Sequence, residues 1–175
     1  MVLSTYFIRR EIAQLLRKAS ERQVQFRSLE EAKHLLFFYN QRDAMKLEPI
    51  MQRLKECKFH VSTVVFHPEV VDLERMQSLN SLICRKADLN ILGMPSPHII
   101  EDVKQLRADI LINLGGVKDY TLLYLMLNHP TSFRVGIKWQ ESDAYDLLIS
   151  PTDDNQGIDF LCEQILFYLQ SIGAK

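Results

Sequence analysis

Short, mostly apolar runs at 34–39, 59–66, 110–114, 133–137 and 145–149 alternate along this chain with stretches of helical period. Residues apolar at consecutive positions suit strands covered on both faces, the environment of a parallel sheet between two helix layers. The alternation therefore predicts an α/β domain of three-layer, Rossmann-like type: a mainly parallel sheet of five or six strands, preceded by a basic N-terminal helix. At 175 residues the chain fits one domain, able to bury about 70% of its unfolded surface and to fold without disulfide staples.

Residues 1–27 stand apart from the domain proper, 28–175. Ile8, Ile12, Leu15, Leu16 and Ala19 recur at helical spacing, while Arg9, Arg10, Arg17, Lys18, Arg22 and Arg27 outnumber Glu11 and Glu21. This is a basic amphipathic helix whose apolar stripe docks on the domain or on a second subunit. Contact with an anionic membrane surface or an acidic partner is the alternative, weakened by the two glutamates.

The first strand, 35–39, runs into the polar turn Asn40-Gln41-Arg42-Asp43 and a helix carrying Leu47, Ile50, Met51 and Leu54. Pro49 either sits in that helix's first turn or bends its opening. The second strand is β-branched at Val61, Thr63, Val64 and Val65 and ends at His67-Pro68. A short helix at 70–79, a brief strand at 82–84, a loop from Gly93 to Pro97 and a helix reaching Leu106 follow. The strand at 110–114 then leads through Gly115-Gly116 to a helix with Asp119 at its cap and Pro130 beyond its end. Residues 120–127 are apolar nearly all round and are expected to be buried. Phe133, Val135 and Ile137 alternate with Arg134 and Gly136, which predicts a strand with one wetter face near the sheet edge. After the strand at 145–149, Asp153 or Asp154 is expected to cap a last helix striped by Leu161, Cys162, Ile165 and Leu169 and closed by Gly173.

With 21 basic and 22 acidic residues the formal charge is -1, which argues against a nucleic-acid-binding domain. The longest fully apolar stretches have five or six residues, far short of the roughly 20 that span a bilayer, and the N-terminus lacks a signal peptide's apolar core. Cys57, Cys84 and Cys162 are odd in number and widely spaced, so they read as core hydrophobes of a reducing compartment. A cytoplasmic location is expected.

Ligands of open parallel sheets bind beyond the carboxyl ends of the strands, which narrows the search to the loops at Asn40, His67, Gly93 and Gly115. Asn40, Arg42 and Asp43 form one candidate ligand-binding group, but no glycine there lets backbone approach a pyrophosphate, so an NAD or FAD site is not expected. Gly115, Gly116 and Lys118 form another, because two glycines, free amides at a helix start and a lysine can hold an anion; a tight turn is the plainer reading. His67, His98 and His129 have no cysteine or acidic neighbour at metal-ligand spacing, so they read as solvated or loop histidines and no metal or other cofactor is expected. Ser62, Ser96 and Ser150 carry no nucleophile elbow, and Asp143, Asp146, Asp153 and Asp154 read as an acidic loop plus a helix cap. No catalytic set emerges.

The leading FIRREIAQLLRKA, the turn from Asp88-Leu89-Asn90 to Gly93, the 109–114 strand, Phe133-Arg134-Val135-Gly136 and Tyr145-Asp146-Leu147-Leu148-Ile149 together resemble a family of short, uncharacterised proteins from Bacteroidetes known only as a domain of unknown function. The resemblance runs almost the whole length and implies a Rossmann-like domain without an activity. In those relatives the segment after the 110 strand is polar or acidic rather than Gly-Gly. A more remote likeness is to the acceptor half of GT-B, heptosyltransferase-type glycosyltransferases, in which a strand is followed by an Asp and, six residues on, a Pro; Asp43 and Pro49 stand at that spacing. That likeness implies Asp43 accepting a hydroxyl proton, with Arg42 or Lys118 holding the anion of a sugar phosphate or nucleotide. The leading expectation is nevertheless a non-enzymatic cytoplasmic binding or interaction protein, forming a homo-oligomer or meeting a protein partner through residues 1–27. Its rivals are such an enzyme or enzyme remnant, and a protein held at a membrane surface by its basic helix.

Overall fold

The computed structural model describes residues 2–19, 22–67, 81–138, 142–152 and 157–172. The expected helix at 70–79, the caps Asp153 and Asp154 and the closing Gly173 lie outside the described residues. In chain order the elements are α1 (Val2–Ala19), β1 (His34–Asn40), α2 (Ala44–Glu56), β2 (His60–His67), β3 (Ser81–Arg85), α3 (Pro97–Gln105), β4 (Ile110–Asn113), α4 (Tyr120–Asn128), β5 (Arg134–Ile137), β6 (Leu147–Ile149) and α5 (Ile158–Ser171). All six strands are parallel in one sheet of order β3-β2-β1-β4-β5-β6.

Alternation along β1 explains the layers. Leu35, Phe37 and Tyr39 enter one core, with Leu47 and Met51 of α2 and Leu161 and Ile165 of α5. Leu36 and Phe38 enter the other, with Val103 of α3 and Leu122 and Leu125 of α4. Successive strand residues point to opposite faces, so a strand apolar at every position needs helices on both sides. The chain leaves β1 for α2 on one face and leaves β4 for α4 on the other. Between the carboxyl ends of these two neighbouring strands lies the topological switch point of a Rossmann-like sheet.

The basic leading helix docks on the domain itself: Ile8 and Ile12 of α1 are 4% and 5% exposed in the second core, and the helix runs against α4. Its Arg9 guanidinium stands 5.9 Å from the centre of the Tyr120 ring. Pro49 lies inside α2, which is preceded by a 3-10 turn at Gln41–Asp43.

Several expectations need correction. β5 lies one strand in from the edge, beside the three-residue edge strand β6, but it has no wetter face: all four of its residues are buried, Arg134 included. The cap position of the last helix is Gly157. Cys84 and Cys162 are buried as expected, whereas Cys57 is exposed. Among the described residues no helix is long and apolar enough to cross a membrane.

Candidate functional site

β1 and β4 each end in a buried asparagine, Asn40 and Asn113, at the switch point. An amide side chain at the end of an apolar strand must find partners as it leaves the core. Asn113 Nδ2 donates to the Tyr145 hydroxyl at 2.7 Å, and its Oδ1 accepts the Gly115 N–H at 2.9 Å. Asn40 Nδ2 donates to Asp119 Oδ2 at 2.5 Å, and the Gly116 N–H donates to the same oxygen. Asp119 stands at the cap position of α4 yet makes no capping bond. Its carboxylate turns back and seats itself on the glycine loop.

The two glycines make that arrangement possible. A Cβ at Gly115 would stand 3.0 Å from Asn113 Oδ1 and 3.2 Å from Leu122 Cδ1, and one at Gly116 would stand 3.1 Å from Asp119 Oδ2. The loop is closed too tightly for a side chain.

Arg42 and Asp43 arrive from the turn after β1. Arg42 Nε lies 3.6 Å from Asp43 Oδ2, and the Arg42 guanidinium reaches over Gly116. Arg42 is 73% exposed, so the pair contributes little to stability. Burial holds the Asp43 carboxyl above its ordinary value; Arg42 and Lys46 oppose this, and the neighbouring Asp119 adds to it. Lys118 lines a small adjoining cavity of about 190 Å³ with Asp119, Tyr120, Phe66 and Leu89. Sites for drug-sized ligands usually enclose about 300–1,000 Å³.

Asn40, Arg42, Asp43, Gly115, Gly116 and Lys118, far apart in sequence, thus meet at one rim around Asp119. What sequence reasoning missed is the centre of that group, because Asp119 precedes a helix whether its carboxylate caps the helix or points away. Other readings fail on burial. His67 and His129 are 6% and 3% exposed rather than solvated. Asp146, read as part of an acidic loop, has a side chain only 6% exposed and holds Arg22 at 2.6 Å and the Arg134 N–H at 2.7 Å. Among the described residues no group of three or more His, Cys, Asp or Glu side chains could hold a metal ion.

The family model of DUF6913, a family of unknown function, matches residues 5–172. The chain belongs to DUF6913. No curated protein and no solved structure matches it. The DUF6913 match runs from α1 to the end of α5, so the leading helix is part of the family's domain as well as of its packed core.

Proposed function

We propose that this DUF6913 chain is a non-enzymatic cytoplasmic protein that works by binding a protein partner, a second copy of itself included, over the carboxyl rim of its sheet. The observation that carries this reading is the seat of Asp119. In nucleotide-binding proteins built on such a sheet, loop amides at the switch point are left for a phosphate. Here the Gly116 N–H and the Asn40 amide are satisfied by the chain's own carboxylate, and an incoming phosphate would meet two acidic side chains. Apolar groups on the loops and helix start after β1, β3 and β4 remain uncovered: Met45, Ile91 and Val117 are 84%, 96% and 62% exposed. Apolar side chains left exposed on one rim offer a protein partner surface to bury.

Sedimentation velocity over a hundredfold range of concentration, beside a thermal-shift panel of sugar phosphates and nucleotides, tests the proposal. Self-association that Val117→Glu with Met45→Glu abolishes, and no thermal shift that depends on Asp119, is the expected result. A nucleotide or sugar phosphate that raises the melting midpoint, with the rise lost in Asp119→Ala, would overturn it.

The raised proton affinity of Asp43 favours a second reading, an enzyme or remnant related to GT-B transferases with Asp43 as base. Turnover of a sugar nucleotide lost in Asp43→Asn is its requirement. Docking of Ile8 and Ile12 in the core speaks against a membrane-bound α1, since the stripe that would enter lipid is already covered.

A further inference from the structure

At the opposite end of the sheet, a pocket of about 410 Å³ opens between the last turns of α1 and α4 and the segment entering β5. Lys18, Arg22, His129, Thr131, Ser132 and Arg134 line it. Its volume falls in the range of small-molecule sites, about 300–1,000 Å³. Its charge is unbalanced.

Arg134 is only 3% exposed. Its Nη2 donates to the carbonyls of Leu127 at 3.3 Å and His129 at 3.0 Å, the end of α4, but Nε and Nη1 have no partner among the described residues. Arg22 donates through Nη2 to Asp146 Oδ1 at 2.6 Å and through Nη1 to the Thr131 carbonyl at 3.4 Å, and its buried Nε has no partner among the described residues. The other Asp146 oxygen, Oδ2, accepts the Arg134 backbone N–H at 2.7 Å rather than a guanidinium N–H. The described lining thus holds Arg22, Arg134 and the exposed Lys18 and no carboxylate, and the nearby Asp146 is paired with Arg22. Capping the carboxyl end of α4 accounts for Nη2 of Arg134 and for nothing else on that group. Burial, reinforced by Arg22, brings Arg134 down to about 10, and it still carries its charge at neutral pH.

A buried guanidinium with three N–H groups unused is costly unless an acceptor meets it, and a charged oxygen, as in a carboxylate or phosphate, makes the strongest such bond. We propose that this pocket binds the oxyanion group of a small molecule, a carboxylate or a phosphate, with one oxygen on the free Nε–H of Arg134 and with Lys18 and Arg22 at its mouth. The inference does not depend on the role of the carboxyl rim.

Isothermal titration calorimetry of the full chain with inorganic phosphate, pyrophosphate and succinate tests it, beside the arginine Nε–H region of the proton–nitrogen NMR spectrum. The expected result is one-to-one binding of at least one probe, weakened by added salt, with a shift of the Arg134 Nε–H signal. Preference for phosphate and pyrophosphate or for succinate assigns the oxyanion. Arg134→Met is expected to weaken binding at least tenfold. Should that variant fail to fold, Lys18→Gln, on an exposed position, is expected to weaken binding several-fold while Lys104→Gln on α3 leaves it unchanged. No binding of any probe, binding with the Arg134 signal unmoved, or equal binding by Lys18→Gln and wild type overturns the proposal.

Discussion

His129 shows how a single buried side chain sets a pH dependence. Its Nε2 lies 2.8 Å from the Leu106 carbonyl, which can only accept, and its Nδ1 lies 3.1 Å from the Thr131 N–H, which can only donate. The ring is therefore neutral, with its proton on Nε2. A second proton would set a donor against the Thr131 N–H. Burial lowers the affinity of His129 for that proton; the bond to Leu106 opposes the shift and the charge of Arg134 adds to it. As pH falls through the ordinary histidine value of 6.5, the unfolded chain takes up a proton that the folded chain refuses. Stability is thus full above that value and declines below it, by at most about 1.4 kcal/mol per pH unit from this group, until the folded ring protonates as well. Urea midpoints at pH 7.5 and 5.5 should separate more for wild type than for His129→Gln, which retains a donor and an acceptor but does not titrate. Equal separation in the two proteins would exclude His129 as the cause.

At the scale of elements, α1 tests whether a basic helix is an appendage or part of the core. Ile12 is 5% exposed among the side chains of the second core, so Ile12→Ala should cost about 2–5 kcal/mol, as truncation of a packed isoleucine does. A helix held only by its charged face would lose less than about 0.5 kcal/mol from the same change. Urea unfolding distinguishes the two. The elements were the most legible part of this sequence, for a physical reason: β1 is apolar at each position from Leu35 to Tyr39 because helices cover both faces, and residues 120–127 are apolar nearly all round because α4 meets α1, α3 and the sheet. The rim was legible as a place, since Asn40 and Gly115 directly follow strands. Its chemistry was not. Arg134 sits in an alternating pattern that normally marks a wet face, and its side chain is buried instead against the end of α4, whose Leu127 and His129 carbonyls it meets. Arg22 and Asp146 lie 124 residues apart, a separation at which pattern alone cannot pair charges.

For the whole molecule, the sheet divides the interior into two cores that share strands but not side chains. Ile99 of α3 belongs to one and Ile165 of α5 to the other, with the sheet between them. Replacing either by valine removes one methylene and should cost about 0.5–1.5 kcal/mol. Two sites with no shared partners should add, the double variant matching the sum within about 0.5 kcal/mol. A sheet can also act as a common wall that shifts when either side is loosened, since close-packed interiors transmit strain. In that case the second truncation would meet a core already altered by the first, and the sum would fail. Urea unfolding of wild type, Ile99→Val, Ile165→Val and the double variant, followed by far- and near-ultraviolet circular dichroism, separates the cases. Coincident transitions with an unchanged slope would show both layers unfolding with their shared sheet as one unit. Additivity is the expected outcome because β1, β2 and β4 form a continuous parallel ladder at the centre, and that ladder resists a one-methylene void better than the helices resting on it.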